Sequence, residues 1–258
     1  MNNALELHFQ PIVQIEDGKP KIFEALTRWT RNGTEQISPA EFIPIAEDLG
    51  LISDIGNWTL REACKICQTW PSDVSVAVNL SAVQFRVGSI VKMVQKALNE
   101  SGLEPSRLEI EITETAILND MEHAILVLEE LSVLGVRISL DDFGTGYSSL
   151  SYLHKLPLDK LKIDKSFVDD LTENQRSRTL LKGITVLGKA LELKVVVEGV
   201  ETKEQFDLLK EHYDVDFVQG FYFSKALTKE NAADYIAISN NPAHTTPQTE
   251  PYEAQNVA

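Results

Sequence analysis

The chain has 258 residues, 43% hydrophobic and 24% charged, a composition typical of a soluble globular protein with a sizeable core. Its formal charge of -15 excludes a nucleic-acid groove built from clustered Lys and Arg, and weighs against binding to anionic membranes. Its two cysteines, Cys64 and Cys67, exclude a disulfide framework, and no apolar run reaches the roughly 18 residues needed to span a bilayer. The start, Met1-Asn2-Asn3-Ala4-Leu5-Glu6, has no basic segment followed by an apolar one, so no signal peptide is predicted and the expected location is cytoplasmic. An acidic protein that handles phosphate needs a cation to screen its carboxylates.

In chain order, strand and helix signals alternate. Residues 5–15 and 21–29 are β-rich, and Asp17-Gly18 between them signals a hairpin. Strands joined by so short a turn pair antiparallel, so one strand is expected to run against the rest. Ser38-Pro39-Ala40-Glu41 supplies an N-cap, a proline at N1 and an acidic first turn, and a longer amphipathic helix is predicted over 53–70. Further strands are predicted at 74–80, 108–113, 136–141, 160–163, 194–197 and 217–223. Helical patterns fill the gaps at 90–99, 121–134, 148–154, 176–191 and 203–211. The strand runs are apolar and β-branched, as in a parallel sheet covered by helices. Eight such strands predict an α/β fold, a TIM-like (β/α)8 barrel with one antiparallel strand. A doubly wound open sheet is the alternative, but no Gly-rich dinucleotide turn follows the first strands. The barrel is expected over 1–237. Residues 238–258, rich in Asn, Pro, Thr and Gln, read as a disordered tail.

Acidic and amide residues recur along these strands. Glu24 lies in Ile22-Phe23-Glu24-Ala25-Leu26, and Asn79 closes Val76-Ala77-Val78-Asn79. Glu109, Glu111 and Glu114 punctuate one strand, Asp141-Asp142 closes the next, Lys162 and Asp164 mark another, Glu198 follows Val195-Val196-Val197, and Gln219 sits in the last. A barrel gathers such strand ends at one mouth. A single acidic residue at a strand end is more often a helix cap or a solvated loop residue, but capping does not require Asn or Glu on so many strands. Like charges ~4 Å apart cost about 4 kcal/mol per pair at an effective dielectric of 20, so the cluster calls for a cation. All-oxygen donors suit Mg²⁺, Mn²⁺ or Ca²⁺ rather than zinc. The adjacent Asp141 and Asp142 suit a pair of ions about 3.5–4 Å apart, which would activate water against a phosphodiester. Cys64-Lys65-Ile66-Cys67, a lone C-x-x-C in a helical pattern, reads as core packing. Asp142-Phe143-Gly144 lacks the partner motifs of a kinase.

In order, these residues resemble one family. Glu24-Ala25-Leu26-Thr27-Arg28-Trp29 is similar to the signature of EAL domains, the bacterial cyclic di-GMP phosphodiesterases. Phe9-Gln10-Pro11-Ile12, Asn79-Leu80-Ser81, Glu111-Ile112-Thr113-Glu114, Asp141 to Gly146, Lys162-Ile163-Asp164, Glu198-Gly199-Val200-Glu201 and Gln219-Gly220-Phe221 follow in family order, over about residues 4–237. The resemblance implies hydrolysis of cyclic di-GMP to linear pGpG with two Mg²⁺ or Mn²⁺ ions. It assigns Glu24, Asn79, Glu111 and Asp141 to the first ion, and Asp141, Asp142 and Glu198 to the second and its water. It also makes Lys162 the group that orients the water and Glu198 a candidate general base. As a metal ligand Glu198 is poorly placed to be the base too, and both roles stay open. Gln10, Arg28 and Gln219 match substrate-contacting positions, Arg28 suiting a phosphate. Glu114 matches the anchor of the loop from Phe143 to Ser149, which is often linked to dimerisation, so a homodimer is among the implied partners. Two departures sit at the rim: Phe221 replaces a Tyr, and Ala226 a frequent Pro. The abrupt start at the first strand suggests a piece of a longer protein with an upstream sensory or GGDEF domain, whose remainder is free to carry a membrane anchor. The alternative function is a non-catalytic cyclic di-GMP receptor domain.

Overall fold

The computed structural model describes residues 4–87, 90–118, 120–144 and 150–240. Strands β1 (Leu5–Gln14) and β2 (Pro20–Arg31) pair antiparallel, with Gln10 opposite Glu24 and Leu5 opposite Trp29. Asp17-Gly18 forms the turn as predicted: Gly18 takes a φ of 71°, which only glycine adopts without strain, and its N–H donates to the Gln14 carbonyl at 3.0 Å. Beyond the hairpin β2 runs on, reverses through Asn32 and Gly33 at φ 54° and 76°, and pairs with a short β3 (Glu35–Ile37) absent from the sequence expectation.

The chain then alternates. Helices α1 (Pro39–Asp48) and α2 (Ile52–Gln68) lead to β4 (Ser75–Leu80); α3 (Ala82–Val87) and α4 (Ile90–Ser101) lead to β5 (Leu108–Thr113). Next come α5 (Glu114–Leu118), α6 (Met121–Val133), β6 (Arg137–Phe143), α7 (Leu150–Leu153) and β7 (Lys160–Ile163). The chain closes with α8 (Gln175–Ala190), β8 (Lys194–Val197), α9 (Lys203–His212), β9 (Phe217–Gln219) and α10 (Lys229–Ser239). Pro39 occupies the start of α1 as expected, although the Ser38 side chain makes no capping bond. The sheet order β1-β9-β8-β7-β6-β5-β4-β2, with β2 returning to β1, closes an eight-stranded barrel, and β3 is left outside it. β1 is antiparallel to both its neighbours, and every other barrel pairing is parallel. The expected antiparallel strand is thus the first.

Two boundaries near the C-terminus differ from expectation. β9 ends at Gln219 rather than 223, because a Cβ at Gly220 would collide with the Val200 carbonyl and the chain bends there. Tyr222 and Phe223 instead pack with Phe206, ring centroids 5.0–5.7 Å apart. Helix α10 is capped by Thr228 and sets Tyr235 against Phe23, so the expected boundary at 237 falls inside it. The rest of the expected tail, 241–258, lies outside the described residues, as does most of the segment before α7.

The outward faces of the strands, among them Val76, Val78, Ile110, Ile112, Ile138, Leu140 and Val195, are fully buried beneath the helices. Inside the barrel, Ile12, Ile22, Ala77 and Val196 form a small apolar plug. Among the described residues no helix is long and apolar enough to cross a membrane. Cys64 and Cys67 are fully buried on α2 and unbonded to each other, as the core-packing reading expects. Burial, with Cys67 nearby, pushes the Cys64 thiol up to about 12; burial pushes Cys67 up to about 11 against the opposing charge of Arg107. At about pH 8 neither thiol of the folded protein should react with a thiol-specific chromogenic reagent, and both should react in guanidinium. Rapid labelling of the native protein would contradict this packing.

Candidate active site

The polar residues that the sequence places on successive strands meet above the apolar plug, at the C-terminal mouth of the parallel strands. Register does this. Glu24 lies level with Ala77 on β4, Asn79 with Glu111 on β5, and Glu111 with Ser139, two residues below Asp141 on β6. Glu24 is not at a strand end as expected. It sits in the middle of β2, because β2 overruns the barrel to reach β3.

Lys162 on β7 occupies the centre and is only 1% exposed. Its Nζ lies 2.7 Å from Glu198 Oε1, 2.9 Å from Glu111 Oε1, 3.1 Å from Asp141 Oδ1 and 4.0 Å from Glu24 Oε2. Burial works against its charge, but Asp141, Glu111, Glu198 and Glu24 overcome this and hold it well above the usual lysine range. Glu24 is also held from two sides: Asn79 Nδ2 donates to Oε1 at 2.6 Å and Gln219 Nε2 to Oε2 at 2.7 Å. Burial tends to raise Glu24, yet Lys162 and these two donors bring it below the ordinary carboxylate range. Gln10 lies next in line, with its Oε1 3.3 Å from Gln219 Nε2 and its Nε2 donating to the Ser224 carbonyl.

The other carboxyls move the opposite way. Burial lifts Glu111 well above its ordinary value, reinforced by Glu24, Asp141 and Glu109 and opposed by Lys162. Despite the ammonium 2.9 Å away, neither Glu111 oxygen accepts a well-formed hydrogen bond. Burial, then the charges of Asp141 and Asp164, raises Asp142. Burial raises Glu198 to about 8, with Asp141 and Glu24 adding to the shift and Lys162 opposing it. Five carboxyls thus crowd around one ammonium.

Asp141 and Asp142 are neighbours on a strand, where successive side chains point to opposite faces. A bulge between Leu140 and Phe143 breaks the register with β7, and Asp142 takes a left-handed φ of 55°. Such a bulge re-aims side chains, and Asp is among the residues that tolerate this conformation best. Oxygen atoms of Asp141, Asp142 and Glu198 consequently lie within 4.8 Å of one another. Glu24 and Glu111, expected with Asn79 and Asp141 around a first ion, lie with Asp141 around the Lys162 ammonium.

These side chains line an open cavity of about 340 Å³, with Gln10, Glu24, Asp141, Asp142, Lys162, Glu198 and Gln219 in its wall. Arg28 lies farther along β2 and donates to the Thr27 carbonyl at 3.2 Å; it does not line the cavity. Glu114 opens α5 and accepts from the Tyr152 hydroxyl at 2.8 Å, while residues 145–149 of the loop it was expected to anchor lie outside the described residues. Lys165 also lines the cavity, within 4 Å of Asp169 and Glu201. Nothing in the sequence marked this exposed lysine.

The donor set is all oxygen, partly buried, crowded with like charge and partly without hydrogen bonds at Glu111, which fits a hard divalent cation.

The description of the EAL domain matches residues 1–226 of the chain. The bifunctional diguanylate cyclase/cyclic di-GMP phosphodiesterase MucR of Pseudomonas aeruginosa is 41% identical over 237 residues, 90% of this chain and 34% of that protein. The oxygen sensor protein DosP of Escherichia coli is 41% identical over 244 residues, 92% of this chain and 30% of DosP. The chain spans about a third of the length of these relatives. Among solved structures, the PaMucR phosphodiesterase in its c-di-GMP complex matches with a TM-score of 0.85 at 42% identity, covering 89% of this chain and 94% of that one. Barrel, residue order and relatives agree, and the chain belongs to the EAL domain family.

Proposed function

We propose that this domain hydrolyses one phosphodiester of cyclic di-GMP to linear pGpG. The observation that carries the reading is the closed oxygen cluster of Asp141, Asp142 and Glu198 against the buried Lys162 ammonium, in a chain 42% identical to the PaMucR phosphodiesterase. In this reading Glu24, Asn79, Glu111 and Asp141 hold one Mg²⁺ or Mn²⁺, and Asp141, Asp142 and Glu198 a second. Bound there, the ions supply a lowered pKa for water and neutralise charge on the phosphoryl oxygens.

The chain's own groups do the rest. Lys162 fixes the water by donating to it, and its charge, locked by four carboxylates, faces the phosphate. Glu198, its carboxylate 2.7 Å from the Lys162 ammonium, is the candidate acceptor for the proton of the attacking water wherever it does not serve as a ligand of the second ion. As the new P–O bond forms, the bond to the 3′ oxygen breaks and that oxygen takes up a proton. Gln10 and Gln219 contact the dinucleotide from the cavity wall, and Arg28 is assigned to a phosphate. Glu114 anchors the loop that follows Asp142. A homodimer, a sensory or GGDEF domain in a longer protein, and a cytoplasmic location complete the reading.

Incubated with cyclic di-GMP and Mg²⁺ or Mn²⁺, the protein should release pGpG, and Glu24→Ala should lower kcat by more than about a hundredfold. Tight binding without turnover in either metal would instead establish the receptor alternative.

Glu198 sets a pH dependence of its own. Its folded pKa of about 8 lies above its unfolded value, so the metal-free fold binds the proton more tightly than the unfolded chain does. The stability this contributes is complete below the ordinary carboxylate range and is lost as pH rises through about 8. A cation must displace the same proton, so Mn²⁺ affinity should rise by up to about tenfold per pH unit below that value and then level off. Calorimetric titration of Mn²⁺ at several pH values checks this; a flat profile would mean that Glu198 carries no proton to displace.

A further inference from the structure

The opposite end of the barrel has a different character. There the starts of β2, β4, β6 and β9 and the turn before β5 enclose a second cavity of about 260 Å³. Lys21 and Asp73 in its wall neutralise each other, Nζ to Oδ2 at 2.8 Å. The remaining charges, Arg107 and Arg137, are positive, and among the described residues neither forms an ion pair, although Asp73 lies close enough to feel the Arg107 charge. Arg107 is only 9% exposed, and its guanidinium donates to the carbonyls of Val74, Cys67, Trp70 and Pro71, at 2.7–3.3 Å, without meeting any carboxylate. Among the described residues Arg137, also in the wall, forms no ion pair or hydrogen bond, although the chain carries 39 acidic against 24 basic side chains. Ser75 is 6% exposed, lines the cavity, and its hydroxyl bonds to no described residue. The Phe217 ring forms an apolar patch beside them.

Two guanidinium groups in no ion pair and a buried, unpartnered hydroxyl at one small cavity match the oxygens of a phosphate group. In a chain of charge -15 such a positive pocket has no general electrostatic cause, and it concentrates anions locally. We propose that this cavity binds a phosphate group, free or carried by a small molecule, through Arg137, Arg107 and Ser75. The strands that would sense it also carry the catalytic-face residues: Ser75 shares β4 with Asn79, Arg137 shares β6 with Asp141, and Phe217 shares β9 with Gln219.

Calorimetric titration of the EDTA-treated chain with inorganic phosphate, and in parallel with glycerol 3-phosphate, tests this independently of turnover. One-to-one binding is expected, weakened at least about tenfold in Arg137→Glu and in Ser75→Ala, and unchanged in Glu24→Gln at the other mouth. Arg137 is exposed and Ser75→Ala removes one oxygen, so at least one of the two variants should fold. Tighter binding of glycerol 3-phosphate would identify a phosphomonoester as the source, and weaker binding the free anion. No binding, or binding lost in Glu24→Gln but kept in Arg137→Glu and Ser75→Ala, would overturn the proposal.

Discussion

The buried ammonium of Lys162 is the interaction on which the mouth of this barrel depends. Glu24, Glu111 and Asp141 come from three different strands and Glu198 from the residue after β8, and each lies within 4.0 Å of the same nitrogen. Without it these carboxylates would repel one another in a medium of reduced dielectric, where a pair ~4 Å apart costs about 4 kcal/mol. A buried charge stripped of its partner costs about 3–5 kcal/mol, and here one lysine partners several. The ammonium does not balance the carboxyls, however. Burial, joined by the neighbouring carboxylates, raises Glu111, Asp142 and Glu198, and a further cation held there would relieve that crowding.

Much of this was legible in the residues. Short β-branched runs between helical patterns define the parallel strands, and Asp17-Gly18 marks the reversal between β1 and β2. The order of Glu24, Asn79, Glu111, Asp141-Asp142, Lys162, Glu198 and Gln219 identified the family and the residues of the mouth. Tertiary effects escaped. β3 is only Glu35–Ile37, too short for a periodic signal, and it exists because Asn32 and Gly33 turn the chain back onto β2. The same extension puts Glu24 inside a strand. The end of β9 was hidden because the bend at Gly220 answers to Val200, far away in sequence. Helix α10 has its Thr228 cap but buries only Ala232, Tyr235 and Ile236, a thin apolar stripe. In the site, the residue types were readable but their couplings were not. Asn79 and Gln219 prove to be the two donors that hold Glu24, and only the bulge in β6 explains how adjacent aspartates share one face.

The barrel interior is layered along its axis. Carboxylates and Lys162 crowd one end, Ile12, Ile22, Ala77 and Val196 pack inside the barrel, and Glu109, level with Ala77, pairs with Lys160 in full burial. Arginines rim the far cavity. An isolated buried pair such as Lys160–Glu109 is weak grounds for stability. Its position, one layer beneath Glu111 and Lys162 on the same two strands, means that β5 and β7 are cross-tied at two heights. Strands tied at two levels resist relative sliding, which preserves the register on which the upper cluster relies.

The antiparallel first strand has a topological consequence. In an all-parallel barrel the polypeptide enters at the face remote from catalysis. Here β1 descends, and Leu5 pairs with Trp29 on the part of β2 that stands above Glu24. Any module fused ahead of Leu5 is therefore mounted on the catalytic rim itself, a few residues from the opening. A rotation or displacement of such a module acts on the β1–β2 hairpin, and through Gln10 and Glu24 on the site, without crossing the barrel.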